Sequence, residues 1–240
     1  MEIISKKENQ IVFSAKTEES LANAIRRYLN FVPILAVDEV EISKNDSALY
    51  DETIANRIGL LSLKTEKSHD DKTKIEIKLS SKKPGFVKAG EFTGKAEVVY
   101  GEVPITFLND GQEIEVVATA KLGKGIDHSK FSPGIMFYRN SVDIKIDKTC
   151  PPEVANKCPK GIFQVKDGKI TTKDEYKCDL CEACTDYCKK KGKDAIQLVP
   201  KDELIITLES FGQLEVKEIF SKALDELKKD LKEFSKKVSK

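Results

Sequence analysis

The sequence has no tryptophan, only two methionines and two histidines, and almost no net charge. Lys and Arg total 41 and Asp and Glu total 40 among 240 residues, so the formal charge is +1. A protein that mainly coats nucleic acid or an anionic membrane needs an excess of basic residues. The charge balance therefore argues against both classes of protein.

Long apolar segments are also missing. No stretch approaches the roughly 20 apolar residues that span a bilayer. The first ten residues, MEIISKKENQ, contain neither the apolar segment nor the cleavage site of a signal peptide. No GxGxxG or P-loop motif is present, so nothing indicates a nucleotide cofactor. We therefore expect a cytoplasmic protein without membrane association, and the length predicts two or three small domains.

The hydrophobic pattern predicts a β-hairpin over the first fifteen residues, followed by a helix to about Phe31 that Pro33 prevents from continuing. Residues 34–42 are predicted to be extended, and residues 51–61 to form a short helix. Short β runs follow at 75–79, 96–100 and 114–118, separated by Gly, Pro and Asn. The middle of the chain is therefore predicted to be rich in β-structure.

A long helix is predicted from about Leu214 almost to Lys240. Its apolar residues recur at intervals of three and four, which places them on one face. The apolar face consists of Val216, Phe220, Ala223, Leu227, Leu231, Phe234 and Val238. Two interpretations remain open: the face lies on the core of its own domain, or it meets another subunit. At 1.5 Å per residue the face runs about 33 Å, which is long for a small domain to cover alone.

All six cysteines lie between Cys150 and Cys188. In a reducing compartment, clustered cysteines indicate a metal more often than disulfides. The spacing Cys178-x2-Cys181-x2-Cys184-x3-Cys188 is that of a bacterial ferredoxin cluster motif. Three thiolates two residues apart wrap one loop around a cluster, so the fourth ligand must come from a distance.

The remote ligand is predicted to be Cys158, because Pro159 follows it, as proline follows the remote cysteine of ferredoxins. Between Cys158 and Cys178 the sequence predicts two short strands joined at Lys166-Asp167-Gly168. Cys158, Cys178, Cys181 and Cys184 are thus the expected ligands of one iron–sulfur cluster, [4Fe–4S] or [3Fe–4S]. Cys150 and Cys188 are left over; they form a disulfide, stay free, or are remnants of a lost second site.

Two rival interpretations of the cysteines remain. A four-cysteine zinc site usually takes two separate CxxC pairs, whereas here three cysteines share one run. A ferredoxin-type electron carrier or redox-sensing protein is the other candidate. Small carriers tend to be acidic for docking, whereas this segment contains at least as many lysines as acids.

The segments LANAIRRYLNFVPILAVDEVEI (residues 21–42) and DETIANRIGLLSL (residues 51–63) resemble the α-like subunit family of multisubunit RNA polymerases. In that family an NA-x-RR helix precedes a VP-x-x-A-x-D-x-VEI strand and a DE-x-x-A-x-R-x-GL helix. Residues 121–134, KLGKGIDHSKFSPG, resemble its second signature. The cysteine unit is similar to that of the archaeal branch of this family.

The resemblance implies an α+β fold with a discontinuous dimerisation domain, residues 1–45 and 199–240. A β-rich domain, 46–147, and a ferredoxin-like iron–sulfur domain, 148–198, would be inserted into it. It implies a non-catalytic assembly subunit that forms a heterodimer with subunit L and binds the second-largest subunit and the small subunits N and P. Nucleotide addition would belong to the two largest subunits, and no specific nucleic-acid binding is expected.

The resemblance also indicates partner-contacting side chains. Arg26 and Arg27 are adjacent, so they point about 100° apart on a helix. At least one is expected to bind a carboxylate or carbonyl groups of a partner subunit rather than only water. The helix residues Val216, Phe220, Leu227, Leu231 and Phe234 are expected to contact the sister subunit.

The iron–sulfur cluster is expected to be structural, since a unit of ~50 residues has little apolar core of its own.

Overall fold

The computed structural model describes residues 1–66, 68–70 and 72–239. The described residues form a mixed fold in which strands predominate. In chain order the helices are α1 (Glu19–Tyr28), α2 (Asp51–Gly59), α3 (Ala183–Lys190) and α4 (Val216–Val238). The strands are β1 (Glu2–Lys6), β2 (Gln10–Ala15), β3 (Ile34–Asn45), β4 (Lys74–Ser81), β5 (Gly85–Lys88), β6 (Thr93–Gly94), β7 (Pro104–Leu108), β8 (Ile114–Gly123), β9 (Gly134–Ile146), β10 (Phe163–Lys166), β11 (Lys169–Thr172) and β12 (Ile196–Ser210).

The chain divides into two compact units, each built from separate stretches of sequence. The first unit contains Met1–Lys7, Ile11–Ala22 and Phe137–Thr207. The second contains Glu8–Gln10, Asn23–Met136 and Leu208–Lys240. The three-domain division expected from the sequence stays a prediction.

The first unit contains most of a four-stranded sheet with the order β1-β2-β12-β9. The expected N-terminal hairpin is confirmed, because β1 pairs antiparallel with β2. The cysteine-rich segment packs beside this sheet: Val142 and Ile144 of β9 and Ile196 of β12 share one apolar cluster with Val154 and Ile162. Strands β10 and β11 form the expected hairpin, whose turn places Asp167 and Gly168 at positive φ.

The second unit is built on a sheet with the order β3-β8-β4-β6. Strand β3 pairs antiparallel with β8 from Ile34↔Gly123 to Asn45↔Ile114, with two register shifts. A separate two-stranded ribbon joins β5 and β7. The core of this unit is almost entirely aliphatic, and Ile54 and Ile58 bury one face of α2 in it. Apolar packing between the sheet and α2 therefore forms the core of this unit.

Helix α4 belongs to the second unit and packs against the short turn Leu29–Phe31 that follows α1. The Tyr28 hydroxyl donates a hydrogen bond to the Asp230 carboxylate at 2.8 Å. The helix ends at Val238, and Lys240 lies outside the described residues. The final helix thus contacts the end of the first helix, and the discontinuous dimerisation domain stays a prediction.

Two strand predictions differ from the structure. Residues 96–100 form only one isolated bridge, Leu63↔Val98, because the chain turns away at Gly101, which packs against Gly90. The thirteen-residue strand β9 was not predicted at all, although Val142, Ile144 and Ile146 alternate within it. Earlier in the strand the apolar Ile135 and Phe137 are exposed while the polar Ser141 is buried, so apolar side chains do not mark the buried face there.

Candidate metal centre and subunit contacts

The loop from Cys178 to Cys184 has a backbone that ordinary residues rarely adopt. Leu180 and Glu182 lie in the left-handed region, with φ of 58° and 60°, although neither is glycine. Such residues persist only where the surrounding structure holds them, and they gather at ligand sites. Left-handed residues curl a loop so that successive N–H groups face one concavity, which suits an anionic group. Helix α3 begins directly after this loop, at Ala183.

Two cysteines of the loop, Cys178 and Cys184, are buried, and their sulfur atoms face backbone N–H groups. Burial raises the pKa of the Cys184 thiol to about 11, against a lowering by the N–H groups of Thr185 and Cys184 itself. Burial likewise raises the pKa of the Cys178 thiol, against a lowering by the N–H of Leu180. Cys181 is exposed and Cys158 is half-buried. The surroundings therefore supply donors that suit a thiolate, while the dry site favours the neutral thiol.

Two of the expected ligands, Cys178 and Cys184, are influenced electrostatically by the others. Cys181 and Cys158 both raise the pKa of Cys178, and Cys178 and Cys158 both raise that of Cys184. Yet among the described residues no three His, Cys, Asp or Glu side chains are arranged closely enough to hold a metal ion. The two findings differ because a Coulomb interaction extends well beyond coordination distance. The thiols are neighbours without forming a closed coordination shell.

The donor set fits an iron–sulfur cluster. All six cysteines are free thiols, and thiolates are the usual ligands of such clusters. The curled loop supplies three of the four expected ligands, and its N–H groups face sulfur atoms. The β10–β11 hairpin lies between Cys158 and the loop in sequence, and Cys158 is near enough to raise two thiol pKa values.

Cys150 and Cys188 form a second pair of neighbouring thiols. Burial, together with the charge and hydrogen bond of Cys188, raises the pKa of Cys150 to about 12. Cys188 is fully buried in the same apolar cluster as Cys178 and Cys184. The two thiols are not bonded to each other in this structure. Cys184 also lies close enough to raise the pKa of Cys150.

One arginine, Arg139 of β9, anchors the start of the loop from Cys178 to Cys184, which we call the ligand loop after its three expected ligands. Sequence reasoning did not find this arginine. Its Nε donates a hydrogen bond to the carbonyl oxygen of Cys178 at 3.1 Å. A second guanidinium nitrogen donates to the carbonyl oxygen of Tyr176. A rigid guanidinium fork holds two carbonyl groups in fixed orientation, which a lysine does not. No local sequence signal marks Arg139, because its partners lie more than 35 residues away.

The apolar face of α4 is divided in two. Val216, Ile219, Ala223 and Leu227 are buried within the second unit. Further along the same face the exposed fractions rise to 57% for Leu231, 66% for Phe234 and 69% for Val238. Phe220 lies half-buried between these extremes. The first half of the face therefore covers the helix's own core, as one interpretation expected, and the second half is exposed; contact with another subunit stays a prediction.

Arg26 and Arg27 are both exposed on the last turn of α1. Arg26 donates from Nε and Nη2 to the Asn23 side-chain oxygen, at 3.2 and 2.9 Å. Within residues 1–66, 68–70 and 72–239, no carboxylate lies within 4.0 Å of either guanidinium. Both side chains retain donors for an acidic group or carbonyl of another molecule.

The described part of the chain contains no helix that is both long enough and apolar enough to cross a membrane.

Residues 23–137 match the family model described as the RNA polymerase Rpb3/RpoA insert domain. The chain is 34% identical to DNA-directed RNA polymerase subunit Rpo3 of Pyrococcus furiosus, over 93% of this chain and 91% of the relative. It is 29% identical to Rpo3 of Archaeoglobus fulgidus, over 98% and 96%. It is also 29% identical to DNA-directed RNA polymerase II subunit rpb3 of Dictyostelium discoideum, over 96% and 92%.

Proposed function

Since this chain belongs to the family of DNA-directed RNA polymerase subunit Rpo3, we propose that it is a non-catalytic assembly subunit of an archaeal polymerase. In this proposal it acts in the cytoplasm, pairs with subunit L, and binds the second-largest subunit and the small subunits N and P. It contributes no residue to nucleotide addition. The comparisons offer no support for the alternative, a ferredoxin-type electron carrier.

The observation that carries the proposal is the exposed half of the α4 face. Leu231, Phe234 and Val238 follow the buried Leu227 at helical spacing, so one apolar face continues beyond the core that it covers. Exposed apolar side chains aligned on a helix favour docking against an apolar face of another chain. A sister subunit with a similar helix is the partner that this geometry fits best, because helices of matched periodicity pack along their whole length.

Arg26 and Arg27 support a second contact, with a different partner. Their unpaired guanidinium donors suit carboxylates or backbone carbonyls, which a large subunit offers in quantity. We assign this contact to the second-largest subunit.

We further propose that Cys158, Cys178, Cys181 and Cys184 hold one iron–sulfur cluster, [4Fe–4S] or [3Fe–4S], with a structural role. The curled loop, the N–H groups that face the Cys178 and Cys184 sulfurs, and the influence of the other thiols on these two support this assignment. When bound, the cluster supplies sulfur–metal bonds that tie Cys158 to the loop. The protein's own part is to bury two of the thiols, to direct N–H groups at the sulfurs and to fix the loop through Arg139.

The proposal is tested by co-expressing the chain with a candidate subunit L, followed by size exclusion and iron analysis. The wild-type pair should elute as a one-to-one complex containing iron. Replacing both Leu231 and Phe234 by serine should weaken the complex at least tenfold without changing the iron content.

The matched control replaces Lys229 and Lys232 by serine. Both lysines are exposed. Lys229 lies two positions before Leu231 and Lys232 two positions before Phe234, and each step is about 200° around the helix, so pairing with L should be unchanged. A wild-type chain that remains single in the presence of L would contradict the assembly role. Absence of iron from an intact complex would contradict the cluster alone.

A further inference from the structure

A groove of about 350 Å³ opens in the second unit between the end of α2 and the loop that precedes β7. We call it the Arg57 groove. Its walls include Leu60, Leu61, Val98, Tyr100 and Val103, and the Arg57 side chain lines one end. The contacts proposed above, along α4 and at the end of α1, do not include these residues, so the groove is left without a role.

Backbone hydrogen bonds fix the walls of the Arg57 groove. The N–H of Val99 donates to the Ser62 carbonyl at 2.9 Å, which joins the loop to the segment after α2. The N–H of Ala89 donates to the Val103 carbonyl, and that of Gly90 to the Gly101 carbonyl, both at 2.8 Å. The groove is therefore already formed in the free chain, so little conformational entropy is lost when a ligand binds.

Three large apolar side chains of the groove are exposed. The exposed fractions are 59% for Leu60, 44% for Tyr100 and 39% for Val103. Isolated exposed apolar residues are normal, but several around one concavity mark a contact site. The aromatic ring of Tyr100 adds a rigid contact of a type enriched in protein interfaces.

Arg57 provides the polar element. One guanidinium nitrogen donates to the Ile105 carbonyl at 2.8 Å, which holds the fork against the wall. Throughout the described ranges, no carboxylate lies within 4.0 Å of this guanidinium. The remaining donors therefore present a fixed positive charge beside an apolar wall. A carboxylate is the group that a guanidinium fork binds in the best geometry.

We propose that the Arg57 groove binds an extended segment of another polymerase subunit in which an Asp or Glu lies next to an apolar residue. The carboxylate pairs with Arg57, and the apolar side chain covers Leu60, Tyr100 and Val103. Nucleic acid fits poorly, because one cation beside an apolar wall does not balance a row of phosphates. The inference rests on the assembly role proposed above and adds the chemistry of one contact.

The experiment uses the full chain co-expressed with the remaining polymerase subunits of the same organism. Tyr100 is replaced by the photo-crosslinking amino acid benzoylphenylalanine, and the crosslinked peptide is identified by mass spectrometry. We expect one major adduct, with a polymerase subunit, at a peptide that contains an acidic residue beside an apolar one. An adduct with nucleic acid, with a second copy of this chain, or with no partner overturns the proposal.

Charge exchange tests the same contact independently. Arg57→Glu should lower the yield of assembled polymerase at least tenfold, and Arg57→Lys should lower it less. The matched control is Lys64→Glu, an exposed cation of the same region outside the groove, which should assemble normally. Replacing the crosslinked acid of the partner by arginine should restore assembly to the Arg57→Glu chain.

The outcomes separate this inference from the assembly role. If the wild-type chain enters the polymerase and Arg57→Glu enters equally well, the groove proposal is wrong and the assembly role stands. If the wild-type chain does not enter the polymerase, the assembly role itself is wrong. Arg57 is exposed, so the variant is expected to fold, and circular dichroism of the free chain checks this.

Discussion

The two units of the molecule have cores of different chemistry. The core of the second unit consists almost wholly of Ile, Leu, Val and Ala, packed between α2 and the β3-β8-β4-β6 sheet. The cysteine-rich part of the first unit has a smaller cluster, in which Cys178, Cys184 and Cys188 take the place of larger aliphatic side chains. An aliphatic core is stabilised by burial alone, whereas we expect the proposed cluster to supply much of the stability of a thiol-containing core of this size.

The largest effect should follow loss of the cluster. Cys184→Ser removes one proposed ligand, so residues 150–190 should lose their protection against amide hydrogen exchange, while β4 and β8 keep theirs. Cys150→Ser is the matched control, because Cys150 lies outside the proposed ligand set; it should retain both iron and protection. Equal protection of residues 150–190 in the Cys184→Ser chain would show that this segment needs no metal.

The second effect concerns the aliphatic core. Leu79 is fully buried in the second unit, so Leu79→Ala should lower the free energy of unfolding by about 2–5 kcal/mol. Denaturant titrations before and after iron chelation should give the same loss for this unit. A loss that depends on iron would mean that the two cores are not independent.

A smaller effect is expected at Arg139. Arg139→Gln removes a charged donor from the carbonyl groups of Tyr176 and Cys178, which should destabilise the ligand loop by about 1–3 kcal/mol. Iron should then be lost faster to a chelator. Lys145→Gln is the matched control, because it makes the same change of charge at an exposed position of the same strand. Equal rates of iron loss in the two variants would show that the arginine does not hold the loop.

The smallest effect depends on pH. The hydrogen bond from Lys121 holds the pKa of Asp38 below its usual value of 3.8, and Lys130 adds to this lowering. Because the pKa is lower in the folded chain, the carboxylate stabilises the fold above pH 3.8, and this stabilisation is lost as the pH falls through the folded pKa.

Asp38→Asn should therefore cost about 0.5–1 kcal/mol at pH 7 and almost nothing near pH 2. Urea titrations at the two pH values measure the difference. Asp127→Asn, an exposed acid without an ion pair among the described residues, should have no effect at either pH. A cost for Asp38→Asn that is the same at both pH values would rule out the ion pair as its cause.

Much of the local structure could be predicted from the sequence, because turn residues and periodicity act over short distances. The N-terminal hairpin, α2, the hairpin around Asp167 and the face of α4 all agree with the prediction. The cysteine spacing predicted a ligand loop between Cys178 and Cys184, and the structure shows a curled backbone there, at Leu180 and Glu182. The cluster itself stays a prediction.

The remaining features arise from contacts between distant parts of the chain. Arg139 reaches carbonyl groups 37 and 39 residues away, and Arg57 reaches a carbonyl 48 residues away. Arg139 has no local pattern that would distinguish it from a solvated arginine. Arg57 stands in the DE-x-x-A-x-R-x-GL motif, but the motif does not indicate its carbonyl partner. The apolar face of α4 is buried as far as Leu227 and exposed from Leu231 onward. The position of this boundary depends on the size of the core beneath the helix, and the periodicity of the sequence does not indicate that size.

The most direct test of the assembly account is amide hydrogen exchange along α4, measured for the chain alone and with subunit L. Residues 228–238 should exchange quickly in the free chain and become strongly protected in the complex, while residues 216–227 should be protected in both. Unchanged exchange at 228–238 in the presence of L would contradict it, because the exposed half of the helix face would then have no partner there.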